Sequence, residues 1–268
     1  MKSLKYVIFS LLAAFAICAS SCTTTKAVKW DKCTKSSNWT GKNASIRLMN
    51  ILSPHMPDSS FNDRVGFIKS RECNCVHLIL ANKADGEYGG YSIYGNSITW
   101  NIDKNYTDIM GKRIKKLRSD GFGIVLWLVT DDDGGWNKTL AGNFKKYVED
   151  IKSLGWFDYA STVVLGIEMN EYWSVSQVQN CVNALRSVYS GKVGIHMTSG
   201  KWEWISFGDI LFYQVNPGRS AAQIESDARG VVSKCGGKPV NFFELSRSED
   251  RALSEAALRG GCYGVGNW

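Results

Sequence analysis

The amino-acid sequence predicts one α/β domain of the (β/α)8 barrel class, and three observations lead to that prediction. Apolar runs of strand length alternate with amphipathic stretches of helix length, a pattern typical of a parallel sheet with crossover helices. Eight such runs occur between residues 45 and 268, a usual length for an α/β barrel. A doubly wound sheet is the main alternative. It is disfavoured because no glycine-rich phosphate turn follows the first strand, which ends in Leu52-Ser53-Pro54.

The elements follow one another in this alternating order. We expect strands at residues 46–52, 75–81, 123–129, 162–169, 192–197, 209–215, 239–243 and 262–268. Helices are expected at residues 60–71, 106–119, 137–154, 174–189, 221–234 and 249–259. We expect a small barrel that ends at the eighth strand without a final helix. The Gly- and Tyr-rich stretch 82–103 is too long for a simple connection, and long loops of this kind tend to be functional.

The first 44 residues predict export. Lys2 and Lys5 precede an apolar run and then Ala19-Ser20-Ser21-Cys22, so residues 1–21 are expected to form a signal peptide. The ending resembles a lipobox, in which Cys22 becomes the lipidated first residue and residues 22–44 form a polar tether. Simple secretion stays open because Ala19 stands where a lipobox usually has Leu. Apart from such a lipid anchor, we expect no membrane contact.

Charge and cysteine content narrow the range of partners. The net charge is +7, and residues 112–118 form the single dense basic cluster, so no nucleic-acid partner is predicted. We expect a monomer.

Six cysteines follow Cys22, and disulfides together with buried thiols are expected, with fifteen possible full pairings. No metal-ligand spacing or cofactor motif is present, so neither a metal nor a cofactor is predicted. The six are Cys33, Cys73, Cys75, Cys181, Cys235 and Cys262.

Carboxylates end two of the predicted buried strands. The fourth strand runs into Glu168, Asn170 and Glu171, and the seventh delivers Glu244. Desolvating a carboxylate is costly, so such a residue indicates either an ion pair or a catalytic site. Glu168 is expected to pair with a basic residue. Two strands that each present one Glu form the arrangement that glycoside hydrolysis needs, and an apolar rim of Tyr172 and Trp173 would favour a neutral acid at Glu171.

These motifs resemble the large clan of retaining (β/α)8 glycosidases that includes cellulases, mannanases and β-galactosidases. The resemblance lies in Asn170-Glu171 after the fourth strand and Pro239-Val240-x-x-x-Glu244 on the seventh. It implies that Glu171 is the acid/base, Glu244 the nucleophile and Asn170 a partner of the sugar 2-hydroxyl. It also implies supporting roles at the substrate for His196, Tyr213 and Trp268. The clan's usual Pro after the acid/base is Tyr172 here, and its Arg on the second strand is absent, with His77 near that place.

Several aromatic residues follow predicted strands and are candidates for stacking on sugar rings. They are Trp136, Trp173, Trp202 and Trp204. The acidic loop 131–133 lacks the spacing of a calcium loop, so a solvated loop or a sugar subsite is expected there.

The sequence therefore predicts a retaining glycoside hydrolase that acts on an oligo- or polysaccharide with β linkages. Two alternatives remain. One is a catalytically silent barrel that binds carbohydrate at the same rim, and the other is a structural module of a cell wall or phage.

Overall fold

The computed structural model describes residues 46–51, 53–82, 89–130, 135–166, 168–198, 200, 202–245 and 251–267. Over these residues the chain forms a closed barrel of eight parallel strands that pair in sequence order. The eighth strand pairs with the first, with Ile46 opposite Gly264. The (β/α)8 barrel predicted from the sequence is thus confirmed. Because the strands are parallel, all of their carboxyl ends lie at one rim.

The strands are short, and the alternation expected from the sequence is preserved. Their bounds are β1 (Ile46–Ile51), β2 (Cys75–Ile79), β3 (Gly123–Val129), β4 (Thr162–Gly166), β5 (Val193–Met197), β6 (Ile210–Gln214), β7 (Val240–Phe243) and β8 (Gly264–Asn267).

Helices surround the barrel. They are α1 (Asp58–Ser70), α2 (Lys104–Ser119), α3 (Gly135–Gly142), α4 (Phe144–Ser153), α5 (Met169–Tyr172), α6 (Val175–Val188), α7 (Ala221–Lys234) and α8 (Arg251–Arg259). Two 3₁₀ helices, Trp156–Tyr159 and Trp202–Phe207, precede β4 and β6.

Alternate residues of the strands separate into two apolar clusters, as the period of two in a strand requires. One set, which includes Leu48, Val125 and Phe212, fills the barrel interior. The other set packs outward against the helices. Glycine at position 194 makes room inside, because a Cβ there would lie 2.7 Å from a ring carbon of Phe212. Gly266 does the same for Phe243, whose ring a Cβ would also meet.

The two longest helices of the second half begin with matching capping boxes. At α6, Ser174 Oγ accepts a hydrogen bond from the Gln177 backbone N–H, and the Gln177 side chain accepts one from the Ser174 backbone N–H. Ser220 and Gln223 repeat this arrangement at α7. Each pair satisfies two backbone donors that a helix start otherwise leaves unpaired, so the sequence itself defines where these helices begin.

Two predicted elements end differently in the structure. The helix expected at 137–154 is two helices, α3 and α4, interrupted at Asn143. The fourth strand ends at Gly166 instead of at residue 169. The chain then turns through Glu168, whose φ of 48° is left-handed, and starts the short helix α5.

The five cysteines among the described residues are all buried and keep their thiols, so the disulfides expected among them are not formed. Burial raises the pKa of the Cys73 thiol to about 11 and that of Cys181 to about 12, which keeps both protonated and unreactive. The sixth, Cys33, lies outside the described residues.

The predicted signal peptide, the tether at residues 22–44 and the lipidation site Cys22 also lie outside the described residues. None of the helices that the structure describes combines the length and the apolar character needed to cross a membrane.

Candidate active site

Two glutamates follow strands at the same rim of the barrel. Glu244 comes directly after β7, and Glu171 lies in α5, which follows β4. Strands β5 and β6 separate β4 from β7 around the barrel, so Glu171 and Glu244 follow strands on different sides of the barrel opening. The topology therefore brings the predicted catalytic pair to the same end of the molecule.

Backbone strain marks this rim. Glu244 has a φ of 59° and Glu168 a φ of 48°, and they are two of the four non-glycine residues with positive φ in the described part of the chain. A non-glycine residue in this region costs about 1–3 kcal/mol, and such residues cluster at functional sites because surrounding contacts must hold them there. Both glutamates are half-buried. Their strained positions favour a functional role for both strand ends.

Glu171 is held by a short hydrogen-bond chain from β5. Thr198, which directly follows β5, donates its hydroxyl to Glu171 Oε1 at 2.8 Å. Asn170 Nδ2 lies 3.2 Å from Thr198 Oγ1, and the Thr198 backbone N–H donates to Asn170 Oδ1 at 3.3 Å. Asn170 is 1% exposed, whereas Glu171 is exposed. A buried amide and a threonine thus direct an accessible carboxylate toward the β5 side of the mouth.

His196 connects β5 to the strained turn after β4. The Glu168 backbone N–H donates to His196 Nδ1 at 2.7 Å, which places the proton of the neutral imidazole on Nε2. The ring is completely buried, and this burial lowers the pKa of His196 to about 3. His196 is therefore neutral at physiological pH. It holds the backbone of Glu168 from inside the barrel, whereas the sequence assigned it to the substrate.

Aromatic rings pack around His196 inside the barrel. Its ring centroid lies 5.0 Å from that of Trp127 and 5.4 Å from that of Phe243. His77 touches the same two rings at 5.1 and 4.9 Å. Trp127 and Phe243 are each 1% exposed or less. These buried rings pack rigidly inside the barrel, and Glu244 directly follows one of them, Phe243. Rigid support of this kind keeps catalytic groups in place.

Tyr213 lies elsewhere than the sequence analysis expected. Phe212 belongs to the barrel interior, so its neighbour Tyr213 faces the helices, where it stacks on Trp202. The interior position at the end of β6 belongs to Gln214, whose buried Oε1 has no hydrogen-bond partner among the described residues. Gln214 is thus the β6 side chain whose position suits the barrel mouth.

The predicted aromatic subsites are divided between core, flank and undescribed residues. Trp173 is 9% exposed and packs edge-on against Phe144 of α4, so it belongs to the core and does not form an apolar rim around Glu171. Trp204 is 1% exposed. Trp136 lies in α3, but its side chain and the whole of Trp268 lie outside the described residues, as does the loop 131–134.

The structure adds site residues that the sequence analysis did not select. Gln214 was missed because it lies one position after Tyr213, which the sequence favoured, whereas Thr198 directly follows the predicted fifth strand, two positions after His196, and was given no role there. Arg64 of α1 supplies a guanidinium at the end of β1, where its Nη2 donates to Asn50 Oδ1 at 2.8 Å. The clan's usual Arg is absent from the second strand, and the strand pattern gives no signal for an arginine that a helix supplies instead. Among the described residues, no three His, Cys, Asp or Glu side chains are grouped so that they could hold a metal ion.

Comparison with known proteins identifies relatives in fold. No family model matches the chain, and no curated protein does. Among solved structures it is similar to a glycoside hydrolase family 5 protein from Bacteroides vulgatus, with 18% identity over 84% of this chain and 58% of that one and a TM-score of 0.61. A GH113 β-1,4-mannanase matches with 15% identity over 84% of this chain and 87% of that one, at a TM-score of 0.58.

A β-glucosidase from Thermotoga maritima matches with 11% identity over 84% of this chain and 88% of that one, at a TM-score of 0.57. The chain spans 58% and 50% of the length of the two Bacteroides vulgatus structures that it matches. The fold is therefore one that glycoside hydrolases of several families share. Since a fold alone does not define a reaction, the chemistry is argued from the site.

Proposed function

We propose that the chain is a retaining glycoside hydrolase that acts on oligo- or polysaccharides with β linkages. The observation that carries the proposal is the pair of glutamates, Glu171 and Glu244, that follow β4 and β7 at one rim of a closed barrel. The strained backbone of Glu244 and the hydrogen bond to Glu171 support it. Similar folds in a β-1,4-mannanase and a β-glucosidase support the reaction class.

The reaction takes two displacements. In the first, the Glu244 carboxylate attacks the anomeric carbon while Glu171 gives its proton to the departing glycosidic oxygen, so one C–O bond forms and another breaks. In the second, Glu171 takes a proton from water as the water oxygen attacks the same carbon, and the bond to Glu244 breaks. Both carboxyls regain their starting states. The mechanism requires the two carboxyl groups to be about 5–5.5 Å apart.

Three neighbours support this chemistry in the proposal. Asn170, for which the resemblance implies a bond to the sugar 2-hydroxyl, is 1% exposed and bonds Thr198, so its part in the proposal is to hold Thr198, which orients the Glu171 carboxylate. His196 fixes the turn between β4 and α5. Glu168 lies on that turn and is also a carboxylate at the end of β4, so it is the residue to compare with Glu171.

Hydrolysis of a panel of chromogenic β-glycosides and soluble polysaccharides tests the proposal. We expect turnover by the native protein and a loss of at least a thousandfold in Glu244→Gln. Azide should restore turnover in Glu244→Gly and yield a glycosyl azide of the opposite anomeric configuration to the substrate, because azide enters where the nucleophile was removed. Undiminished turnover in Glu244→Gln rejects the assignment. Glycan binding without turnover in the native protein favours the silent carbohydrate-binding barrel.

The acid/base is identified by comparing substrates whose leaving groups do and do not need a proton in order to depart. Glu171→Gln should keep kcat/KM for a dinitrophenyl glycoside, because dinitrophenolate departs without a proton, but should lower kcat, because the second displacement still needs Glu171 as its base. Turnover of the unactivated oligosaccharide should be lost. Glu168→Gln is the matched control at the same strand end, and it should affect both substrates alike if it acts only on the local structure. The reverse pattern in the two variants transfers the acid/base role to Glu168.

We further propose that the protein is exported and anchored by lipid at Cys22, on the strength of the leader sequence. Labelled fatty acid should be incorporated into the native protein and not into Cys22→Ser. Secretion of both forms without label supports simple cleavage instead.

A further inference from the structure

A groove opens on the outer flank of the barrel, where the connection between β5 and β6 contains a short 3₁₀ helix in the place of a longer α-helix. That connection carries the 3₁₀ helix Trp202–Phe207, whereas β6 and β7 are joined through the fourteen-residue helix α7. The space between the 3₁₀ helix and α7, over the outer faces of β6 and β7, is a cavity of about 280 Å³. At ~30 Å³ per water it holds about nine water molecules, which is room for one sugar ring.

An aromatic surface forms one side of this groove. The rings of Trp202 and Tyr213 lie in nearly parallel planes, 2° apart, with centroids 6.0 Å from each other. Phe242 is fully buried and packs behind Tyr213, with its centroid 5.6 Å from that of Tyr213. Trp202 and Tyr213 are both half-buried, so they are fixed in place and still reachable from solvent. A rigid, flat, partly exposed pair of rings suits the C–H face of a pyranose.

Polar groups form the other side. Arg219 and Asp227 make a forked ion pair, with Nε–Oδ2 at 2.9 Å and Nη2–Oδ2 at 2.7 Å. The Lys234 ammonium lies 4.4 Å from the Trp202 ring centroid. Asn216 and Ser226 also line the groove. Arg219 and Asp227 neutralise each other, and Lys234, held over the Trp202 ring, leaves a single net positive charge, so the groove presents oriented donors and acceptors without a strong field of one sign. This arrangement suits a hydroxyl-rich neutral ligand better than a polyanion.

The groove is also placed to continue the path of a long substrate. Tyr213 pairs in register with Phe242, and Gln214 pairs with Phe243, the residue that precedes Glu244. Tyr213, which lines the groove on the outer face of β6, is therefore only one or two residues along the barrel axis from Glu244 at the end of β7. Neighbouring strands are about 4.8 Å apart, so a glycan chain that leaves the mouth over β6 and β7 reaches the groove within a few sugar units.

We propose that this flank groove is an accessory binding site for a neutral β-linked glycan chain, with Trp202 and Tyr213 as its stacking surface. The inference rests on the proposed function in that the ligand is the polymer whose cleavage Glu244 performs. The site lies outside the barrel mouth, and its residues take no part in bond breaking.

Affinity electrophoresis in gels containing glucomannan or xylan, and calorimetry with mannohexaose and cellohexaose, test the proposal. Both use the Glu244→Gln protein so that the probe is not consumed. We expect Trp202→Ala to weaken binding at least tenfold and Asn216→Ala, an exposed position that leaves the core intact, about threefold. Tyr159→Ala, a half-buried tyrosine outside the groove, is the matched control and should bind normally. Unchanged binding in Trp202→Ala and Asn216→Ala, or no binding of any probe, overturns the proposal.

Kinetics separate this inference from the proposed function. In the otherwise native protein, Trp202→Ala should leave kcat/KM for a chromogenic monoglycoside unchanged and lower that for the polymer at least fivefold. If no form hydrolyses any glycoside but binding still depends on Trp202, the groove stands and the enzyme assignment falls. If hydrolysis depends on Glu244 but Trp202→Ala changes neither polymer binding nor polymer turnover, the enzyme assignment stands and the groove falls.

Discussion

Thr198 is the residue through which β5 acts on the proposed acid/base. Its hydroxyl donates to Glu171 at 2.8 Å and lies 3.2 Å from the Asn170 amide, so one side chain fixes two groups of the site. Because Glu171 is exposed, it has few other restraints on its orientation. Positioning of this kind contributes to the rate by keeping the carboxyl in a reactive geometry.

Thr198→Val should therefore lower kcat about tenfold with little change in KM. The variant keeps the shape of the side chain but loses a hydrogen bond worth about 1–1.5 kcal/mol, and 1.36 kcal/mol corresponds to a tenfold change in rate. Steady-state kinetics on an unactivated oligosaccharide measure it. Thr198→Ser, which retains the hydroxyl, should recover most of kcat. Equal kcat in the Val variant and the native protein contradicts the orienting role.

Tyr213 and Gln214 show at the same scale what the sequence could not define. A strand places successive side chains on opposite faces, so an error of one residue in phase exchanges interior and exterior. The sequence selected the aromatic residue, and the structure has Gln214 at the interior position. The order of strands and the position of Glu244 were predictable, because both depend on patterns several residues long.

The helices of the second half are defined by local chemistry, and this makes their boundaries the most predictable part of the fold. Helix α7 begins at the Ser220–Gln223 capping box, which the sequence carries as Ser-x-x-Gln. Helix α5 is the opposite case. Nothing in the local sequence distinguishes the turn at Glu168 from a longer fourth strand, because the left-handed residue is held by His196 from β5.

Ser220→Ala should lower the free energy of unfolding by about 1 kcal/mol, because the backbone N–H of Gln223 loses its capping oxygen. Ser233→Ala is the matched control in the same helix. Ser233 is exposed, and its hydroxyl donates to Gly230 within the helix, so its loss should change stability by less than about 0.5 kcal/mol. Urea unfolding of both variants measures the difference. Equal values contradict a stabilising cap at α7.

Gly194 tests the packing of β5 against the interior. An added Cβ would lie 2.7 Å from Phe212 and 2.8 Å from Val164, and both are interior residues with little freedom to move. We expect Gly194→Ala to cost about 1–3 kcal/mol in the free energy of unfolding. Gly66→Ala, in α1 with no atom within 4 Å of the new Cβ, should instead gain up to about 1 kcal/mol. A stabilising effect at position 194 contradicts the tight interior.

At the scale of the whole molecule, the barrel encloses two histidines in an aromatic core. His77 and His196 are both fully buried around Trp127, and neither of the ring nitrogens of His77 has a hydrogen-bond partner among the described residues. Burial lowers the pKa of each imidazole to about 3 from its ordinary value of 6.5. The composition could not predict this pairing, since His77 and His196 come from strands β2 and β5.

The two histidines make the stability of the barrel depend on pH, and the sign follows from their lowered pKa values. Between about pH 6.5 and pH 3 the unfolded chain binds protons at these sites and the folded chain does not, so acid favours unfolding. Each histidine should cost on the order of 2 kcal/mol between pH 7.5 and pH 5, since one pKa unit corresponds to 1.36 kcal/mol. Carboxylates also titrate in this range, so the native protein alone does not isolate the effect.

His77→Leu removes one of the two titrating groups and keeps a similar volume in the interior. Urea unfolding at both pH values should show the variant gaining roughly 2 kcal/mol relative to the native protein as the pH falls. A constant difference between the two proteins would mean that His77 keeps an ordinary pKa in the folded barrel, and that water reaches the interior of the ring of strands.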